Sequence, residues 1–229
     1  MSTLALSIQQ VQERIKSASL RVGRKPEGIL LVAVTKTISS ENIHQAIQQG
    51  LTHFGENYIQ EAQRKIETLR QGVWHFIGHL QTNKAKQALK LFSMIETLDS
   101  QKLARELNHQ ALQVGKTIDV LIQVNEAGES TKSGLTPDQV PSLLKESTAW
   151  PGLRIRGLMT IPPYHPNPEQ SRPWYSSLHR RREKWQQEFP EIELSHISMG
   201  MSHDFEVAIE EGATIIRVGT ALFGARGKQ

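Results

Sequence analysis

Lys36 closes the apolar run Ile29-Leu30-Leu31-Val32-Ala33-Val34-Thr35, where a strand covered on both faces should end. An ammonium is costly to bury there, and its amine becomes nucleophilic once neighbours lower its pKa. Alone, such a lysine reads as a surface residue opening the next loop. Two further groups change that reading. Ser198-Met199-Gly200-Met201-Ser202 and Gly219-Thr220 combine hydroxyls with glycines that let backbone N–H groups approach an anion closely. Each segment by itself reads as a turn, with Ser202 as an N-cap; the two together read as a phosphate site. Arg217 is the third element. In Thr214-Ile215-Ile216-Arg217-Val218, alternation aims its guanidinium into the sheet's interior or mouth, where it demands acceptors. A salt bridge to Glu206 or Asp204 is the structural alternative. The three groups together suit a phosphorylated compound held on a lysine.

Other residues carry less chemistry. His75 and His79 are four apart, but Phe76 stands where a zinc-protease helix needs glutamate, so core or loop histidines are expected rather than metal ligands. Gly219 to Gly224 is glycine-bounded but follows the final strand, which argues against a dinucleotide fingerprint. Trp74, Trp150, Trp174 and Trp185 read as packing residues. Arg180-Arg181-Arg182 with Lys184 reads as a solvated helix face rather than a nucleic-acid patch.

The elements that must position these residues alternate along the chain. Strands are predicted at Ile29–Thr35, Thr52–Gly55, Val73–Ile77, Met94–Thr97, Ile118–Val124, Leu153–Thr160, Leu194–Ser198 and Thr214–Val218. An opening helix carries Leu4, Ile8, Val11, Ile15 and Ala18 on one face. Further helices are predicted at Glu41–Gln49, Tyr58–Gln71, Asn83–Leu91, Gln101–Val114, Pro137–Thr148, Gln170–Phe189 and Asp204–Glu211. Thr136-Pro137-Asp138-Gln139 has the form of a capping box, and Gly50, Gly72, Gly115 and Gly212 each follow a helical pattern. This alternation predicts a single α/β domain over residues 1–229, a closed (β/α)8 TIM barrel with an extra N-terminal helix. An open doubly wound sheet is the runner-up. Active sites of such barrels lie at the carboxyl ends of the strands, where Lys36, Asn57, His79, Met159, Ser198 and Arg217 collect.

Composition narrows the function classes. With 38% hydrophobic and 22% charged residues, the 229-residue chain can bury an ordinary core. It has no cysteine, which excludes disulfides, thiol catalysis and cysteine-bound metal and agrees with a cytoplasmic setting. The net charge of +4, 27 basic minus 23 acidic residues, is mild and gives no reason to expect nucleic acid as partner. No apolar run has the ~20 residues of a membrane span, and the start lacks a signal peptide's pattern.

Several segments together match a known family. Val32-Ala33-Val34-Thr35-Lys36, Phe54-Gly55-Glu56-Asn57-Tyr58, Trp74 to Lys84, Gly157-Leu158-Met159-Thr160, Ser198 to Phe205 and Arg217 to Gly224 resemble the pyridoxal-phosphate homeostasis protein family. The resemblance runs from the first strand to the last. It implies a barrel related to the amino-terminal domain of alanine racemase, with pyridoxal 5′-phosphate (PLP) on Lys36 as a Schiff base. It further implies that Ser198, Gly200, Gly219 and Thr220 hold the phosphate and that Arg217 faces the pyridine nitrogen. Asn57, His79 and Met159 match positions lining the cofactor. The family is linked to vitamin B6 supply and to amino- and keto-acid balance, without an established reaction.

An arginine at the ring nitrogen leaves it unprotonated, which weakens the ring as an electron sink. The racemases also draw a second acid/base from a carboxy-terminal domain, and the chain ends at Gln229, soon after the last strand. A monomeric PLP carrier or buffer with no catalytic residue is therefore expected. A minimal PLP-dependent racemase-like enzyme and a Schiff-base aldolase are the alternatives.

Overall fold

Eight parallel strands close into a barrel in chain order in the computed structural model, which describes residues 2–129 and 132–224. Gln229, on which the expectation of a missing second domain rests, lies outside them. The strands are β1 (Leu30–Val34), β2 (His53–Glu56), β3 (Val73–Phe76), β4 (Met94–Leu98), β5 (Ile118–Gln123), β6 (Leu153–Met159), β7 (His196–Met201) and β8 (Ile215–Val218). Closure is made by β1 against β8, where Leu30 pairs with Ile215 and Val32 with Arg217. The barrel is the one expected from the alternating apolar runs.

Strand β7 differs in its limits. It runs on to Met201 rather than stopping at Ser198, because its ladder with β8 continues past a register shift to pair Met201 with Arg217. Ser198, Met199 and Gly200 are therefore fully buried strand residues and not loop. That shift moves the start of the seventh loop to Ser202.

Helices α1 (Thr3–Arg21), α2 (Ser40–Gln48), α3 (Ile59–Leu69), α4 (Ala85–Leu91), α5 (Gln101–Gln113), α6 (Val140–Ser147), α7 (Arg172–Glu188), α8 (Phe205–Glu210) and α9 (Thr220–Phe223) surround the sheet. Their starts are chemically marked. Ser39 Oγ accepts from the Asn42 N–H, Ser100 Oγ accepts from the Leu103 N–H, and the Thr136 N–H donates to Gln139 Oε1 at 2.9 Å. The short turn α9 was not expected from the sequence.

Inside the barrel, alternate strand residues make an apolar cluster of Val32, Met94, Leu121, Met159 and Ile215. A larger apolar layer fills the space between strands and helices. Helix α1 packs Ile8, Val11, Ile15 and Ala18 inward and lies on α8 and α9. It clips α8 directly: Arg14 stacks over the Phe205 ring at 4.4 Å and reaches Glu206 at 2.9 Å, while Arg21 bonds Glu210 at 2.7 Å. Glu206 is thus occupied by α1 and is not the partner of Arg217. Among the described residues no helix is long and apolar enough to cross a membrane.

Candidate functional site

A cleft of about 300 Å³ opens at the carboxyl ends of the strands. Lys36, Asn57, Arg217, Gly219 and Thr220 all line it, together with Ser202, Tyr164 and His203. Five of the residues singled out from the sequence thus share one cavity, although they come from β1, β2, β8 and the loops that follow them.

Lys36 is fixed from both sides. The preceding carbonyl, Thr35 O, accepts a hydrogen bond from Lys65 Nζ at 2.6 Å. The following N–H, that of Thr37, donates to Glu61 Oε1 at 2.6 Å. Lys65 also reaches Glu61 at 2.6 Å and Glu56 at 2.7 Å, so one buried ammonium ties α3 to the end of β1. Burial raises the Glu61 carboxyl, but Lys65 and the Thr37 N–H outweigh it and hold the group below the ordinary carboxylate range. Thr37 has φ of 67°, a left-handed conformation that a β-branched side chain rarely adopts. The turn that presents Lys36 is strained, and this ionic clamp opposes its relaxation.

Arg217 forms the floor of the cleft and is 3% exposed. Its Nη1 donates to Ser198 Oγ at 2.5 Å and its Nη2 to Thr160 O at 2.9 Å. Ser198 Oγ in turn donates to Glu96 Oε2 at 2.6 Å, and Arg217 lies 4.0 Å from the same oxygen. His75 Nδ1 meets Glu96 Oε1 at 2.7 Å, and His75 Nε2 meets His53 Nδ1 at 3.0 Å. Burial lowers the Arg217 guanidinium while Glu96 pulls it back up; arginine stays charged regardless. Its ionic neighbour is therefore Glu96 and not Asp204. Asp204 instead accepts from Ser171, Tyr175 and the Met201 N–H.

One edge of the cleft is built across two loops. Ser202 Oγ accepts from the Gly219 N–H at 3.0 Å and from the Ala221 N–H at 3.2 Å, joining the loops after β7 and β8. A Cβ at Gly219 would stand 3.3 Å from the Val34 side chain, so the edge has little room for a larger residue. Asn57 adds a polar group whose Oδ1 is buried without a hydrogen-bond partner in the protein. A lysine, a fixed guanidinium, hydroxyls and an unmatched buried acceptor suit a phosphorylated aromatic aldehyde.

Four expected residues lie elsewhere. Ser198 sits below the cleft with its hydroxyl engaged by Glu96 and Arg217, and Gly200 is buried within β7 against Phe205 and Ala208. Met159 packs in the apolar interior cluster. His79 is an exposed loop histidine on Asp99, 2.9 Å away, in a neighbouring groove. His75, by contrast, is a core histidine. Trp74, Trp150 and Trp185 are buried packing residues, and Arg181 pairs with Glu126 at 3.2 Å.

Sequence reasoning missed Glu61, Lys65 and Glu96 as parts of the site, and Tyr164 with His203 at its mouth. Lys65 had a signal: it continues the buried face Ile59, Ala62, Lys65 of α3. Glu96 had one as well, as an acid inside an apolar strand. Tyr164 is 75% exposed, and its ring lies 5.3 Å from that of His203.

The family model described as alanine racemase, N-terminal domain, matches residues 6–227. A pyridoxal phosphate homeostasis protein of Aquifex aeolicus is 45% identical over 221 residues, 96% of each chain. The structure of PipY from Synechococcus elongatus PCC7942 without PLP is 36% identical, with a TM-score of 0.84 over 93% of this chain and 99% of that one. The same protein with PLP bound is 34% identical, with a TM-score of 0.82 over 93% and 100%. A D-threonine aldolase from Filomicrobium marinum, 15% identical with a TM-score of 0.76 over 96% and 60%, shares the fold.

Proposed function

The chain belongs to the alanine racemase N-terminal domain family and, within it, to the pyridoxal phosphate homeostasis proteins, and from that premise we propose that it holds PLP in the cleft at the barrel's mouth. The observation that carries the reading is the convergence of Lys36, Arg217 and the Ser202–Gly219–Thr220 edge on one cavity. Lys36 would hold the cofactor through its amine, as a Schiff base with the aldehyde formed with loss of water. The hydroxyls of Thr220 and Ser202 would take the phosphate, with Gly219 leaving room for it at the edge, and Arg217 would face the ring nitrogen. Asn57 Oδ1 is a buried acceptor for a ligand donor.

The role is that of a holder in PLP homeostasis and amino- and keto-acid balance. When bound, PLP supplies an electron sink, and that sink works best with a protonated ring nitrogen. Arg217 works against that protonation, because a guanidinium only donates hydrogen bonds. The name shared by the curated relatives supports the same side. A monomer in the cytoplasm completes the reading.

Absorbance of the purified protein, with and without added PLP, tests it. A visible imine band that borohydride fixes on Lys36 is expected, and Lys36→Ala should lose the band while keeping the fold. Pyridoxal, lacking the phosphate, should bind at least tenfold more weakly, since each charge-assisted hydrogen bond is worth about 1.5–3 kcal/mol. An adduct mapped to another lysine, or equal affinity for the two aldehydes, would overturn the assignment.

A further inference from the structure

We propose that Glu96 is a positioning residue for the bound ring: through Ser198 it fixes the direction and charge balance of Arg217, although it does not touch the cleft. The inference deepens the PLP reading and rests on it. Glu96 is fully buried in β4, and none of its atoms reaches solvent or ligand space. Both of its oxygens are engaged, Oε2 by Ser198 and Oε1 by His75.

Glu96 is the acceptor on which the row converges: the His75 Nδ1–H donates to its Oε1 at 2.7 Å. On its far side His75 Nε2 shares a hydrogen bond with His53 Nδ1 at 3.0 Å. Ser198 Oγ has one proton, which goes to Glu96, so its lone pairs receive Arg217 Nη1. Every donor in the row has one acceptor, and the row ends on the guanidinium that lines the cleft. Arg217 Nη2 is held separately by Thr160 O. Two of its donors are thus committed below the cleft, which sets the plane in which the remaining N–H groups are presented.

Replacing Glu96 by glutamine keeps the shape and removes the charge. Arg217 is then an unbalanced cation in a buried site, and its tether through Ser198 loses a charged acceptor. With that tether loosened, the guanidinium should lose its fixed direction and turn away from the ring nitrogen.

The experiment records the absorbance spectrum and the PLP affinity of wild type, Glu96→Gln, Ser198→Ala, Arg217→Met and the double variant Glu96→Gln/Arg217→Met. Circular dichroism checks each fold. Glu96→Gln is expected to shift the imine band in the direction of Arg217→Met and to weaken PLP about tenfold. In the Arg217→Met background the same change should add nothing, which a merely structural role would not produce. Should Glu96→Gln fail to fold, Ser198→Ala decides the matter, with a smaller shift in the same sense expected. A wild-type band left unmoved in the folded variants would overturn the proposal while sparing the PLP reading. A wild type that forms no band at all removes both.

Discussion

Glu56 and Glu96 are both fully buried acids of one barrel, and their surroundings treat them oppositely. Glu56 leaves β2 on its outer side toward α3. Lys65 Nζ and Thr35 Oγ1 both crowd onto its Oε1, at 2.7 and 2.6 Å, while Oε2 is buried without a partner. Burial pushes its carboxyl above the ordinary range, and Lys65 and Thr35 offset only part of that. Glu96 points inward from β4 and has a donor on each oxygen. Burial pushes it upward too, but His75, Arg217 and Ser198 outweigh the penalty and hold it low. Neither acid reaches solvent. What differs is whether both oxygens are matched.

Removing each acid should therefore have unequal cost. Glu96→Ala leaves His75, Ser198 and Arg217 without their shared acceptor and should destabilise the protein by about 3–5 kcal/mol. Glu56→Ala leaves Lys65 bonded to Glu61 and Thr35 O, and about 1–3 kcal/mol is expected. Urea unfolding of the two variants measures the difference; the reverse order would show that matching is not what separates them.

The clamp around Lys36 offers a milder test. Thr37→Gly removes the left-handed strain of a β-branched residue, a gain of about 1 kcal/mol set against the extra freedom of the unfolded chain. Stability should change little, while Schiff-base formation by Lys36 slows. Unchanged rates would mean that the strained turn does not orient the amine.

The smallest effect is the order of titration. Glu56 should take up its proton above the pH at which free glutamate does, and Glu96 below it. The stability that Glu96 contributes is complete above the unfolded value and is lost as pH falls through its lowered native value. The contribution of Glu56 has the opposite sense, complete below the unfolded value and lost as pH rises through its raised native one. Side-chain carboxyl NMR resolves the two midpoints, and the same order for both acids would remove the contrast.

The outer acid was the more legible of the two in the sequence. Glu56 stands beside Asn57 at a strand end, where function was sought, and Lys65 lies nine positions on within the next helix. The barrel was legible for a similar reason, since strands such as β1 and β5 announce themselves by their own apolar runs. Glu96 was passed over inside Met94–Thr97 because its partner Ser198 is 102 residues away. A pairing at that distance leaves no mark on local periodicity. The sequence pattern ends the seventh strand at Ser198 and reads Gly200 as a turn, because a glycine close to polar residues looks like one. The strand continues through them because Ser198 has buried partners and Gly200, at φ of 91°, packs where a Cβ would meet Ala208 at 2.5 Å. His79 matched a cofactor-lining position by motif alone, and motif says nothing of which way a loop side chain turns.

Helix α1 adds a matter of timing. Its apolar stripe is covered by α8 and α9, which begin about 200 residues later in the chain. At a synthesis rate of ~5–20 residues per second, those partners reach the ribosome exit roughly 10–40 s after the stripe has emerged. For that interval Ile8, Val11 and Ile15 lack most of the native surface they rest on, with only α2 and the turn at Pro26–Gly28 at hand. The segment must wait as a nascent amphipathic helix, open to chaperones, until the last strand arrives and the barrel can be fastened shut.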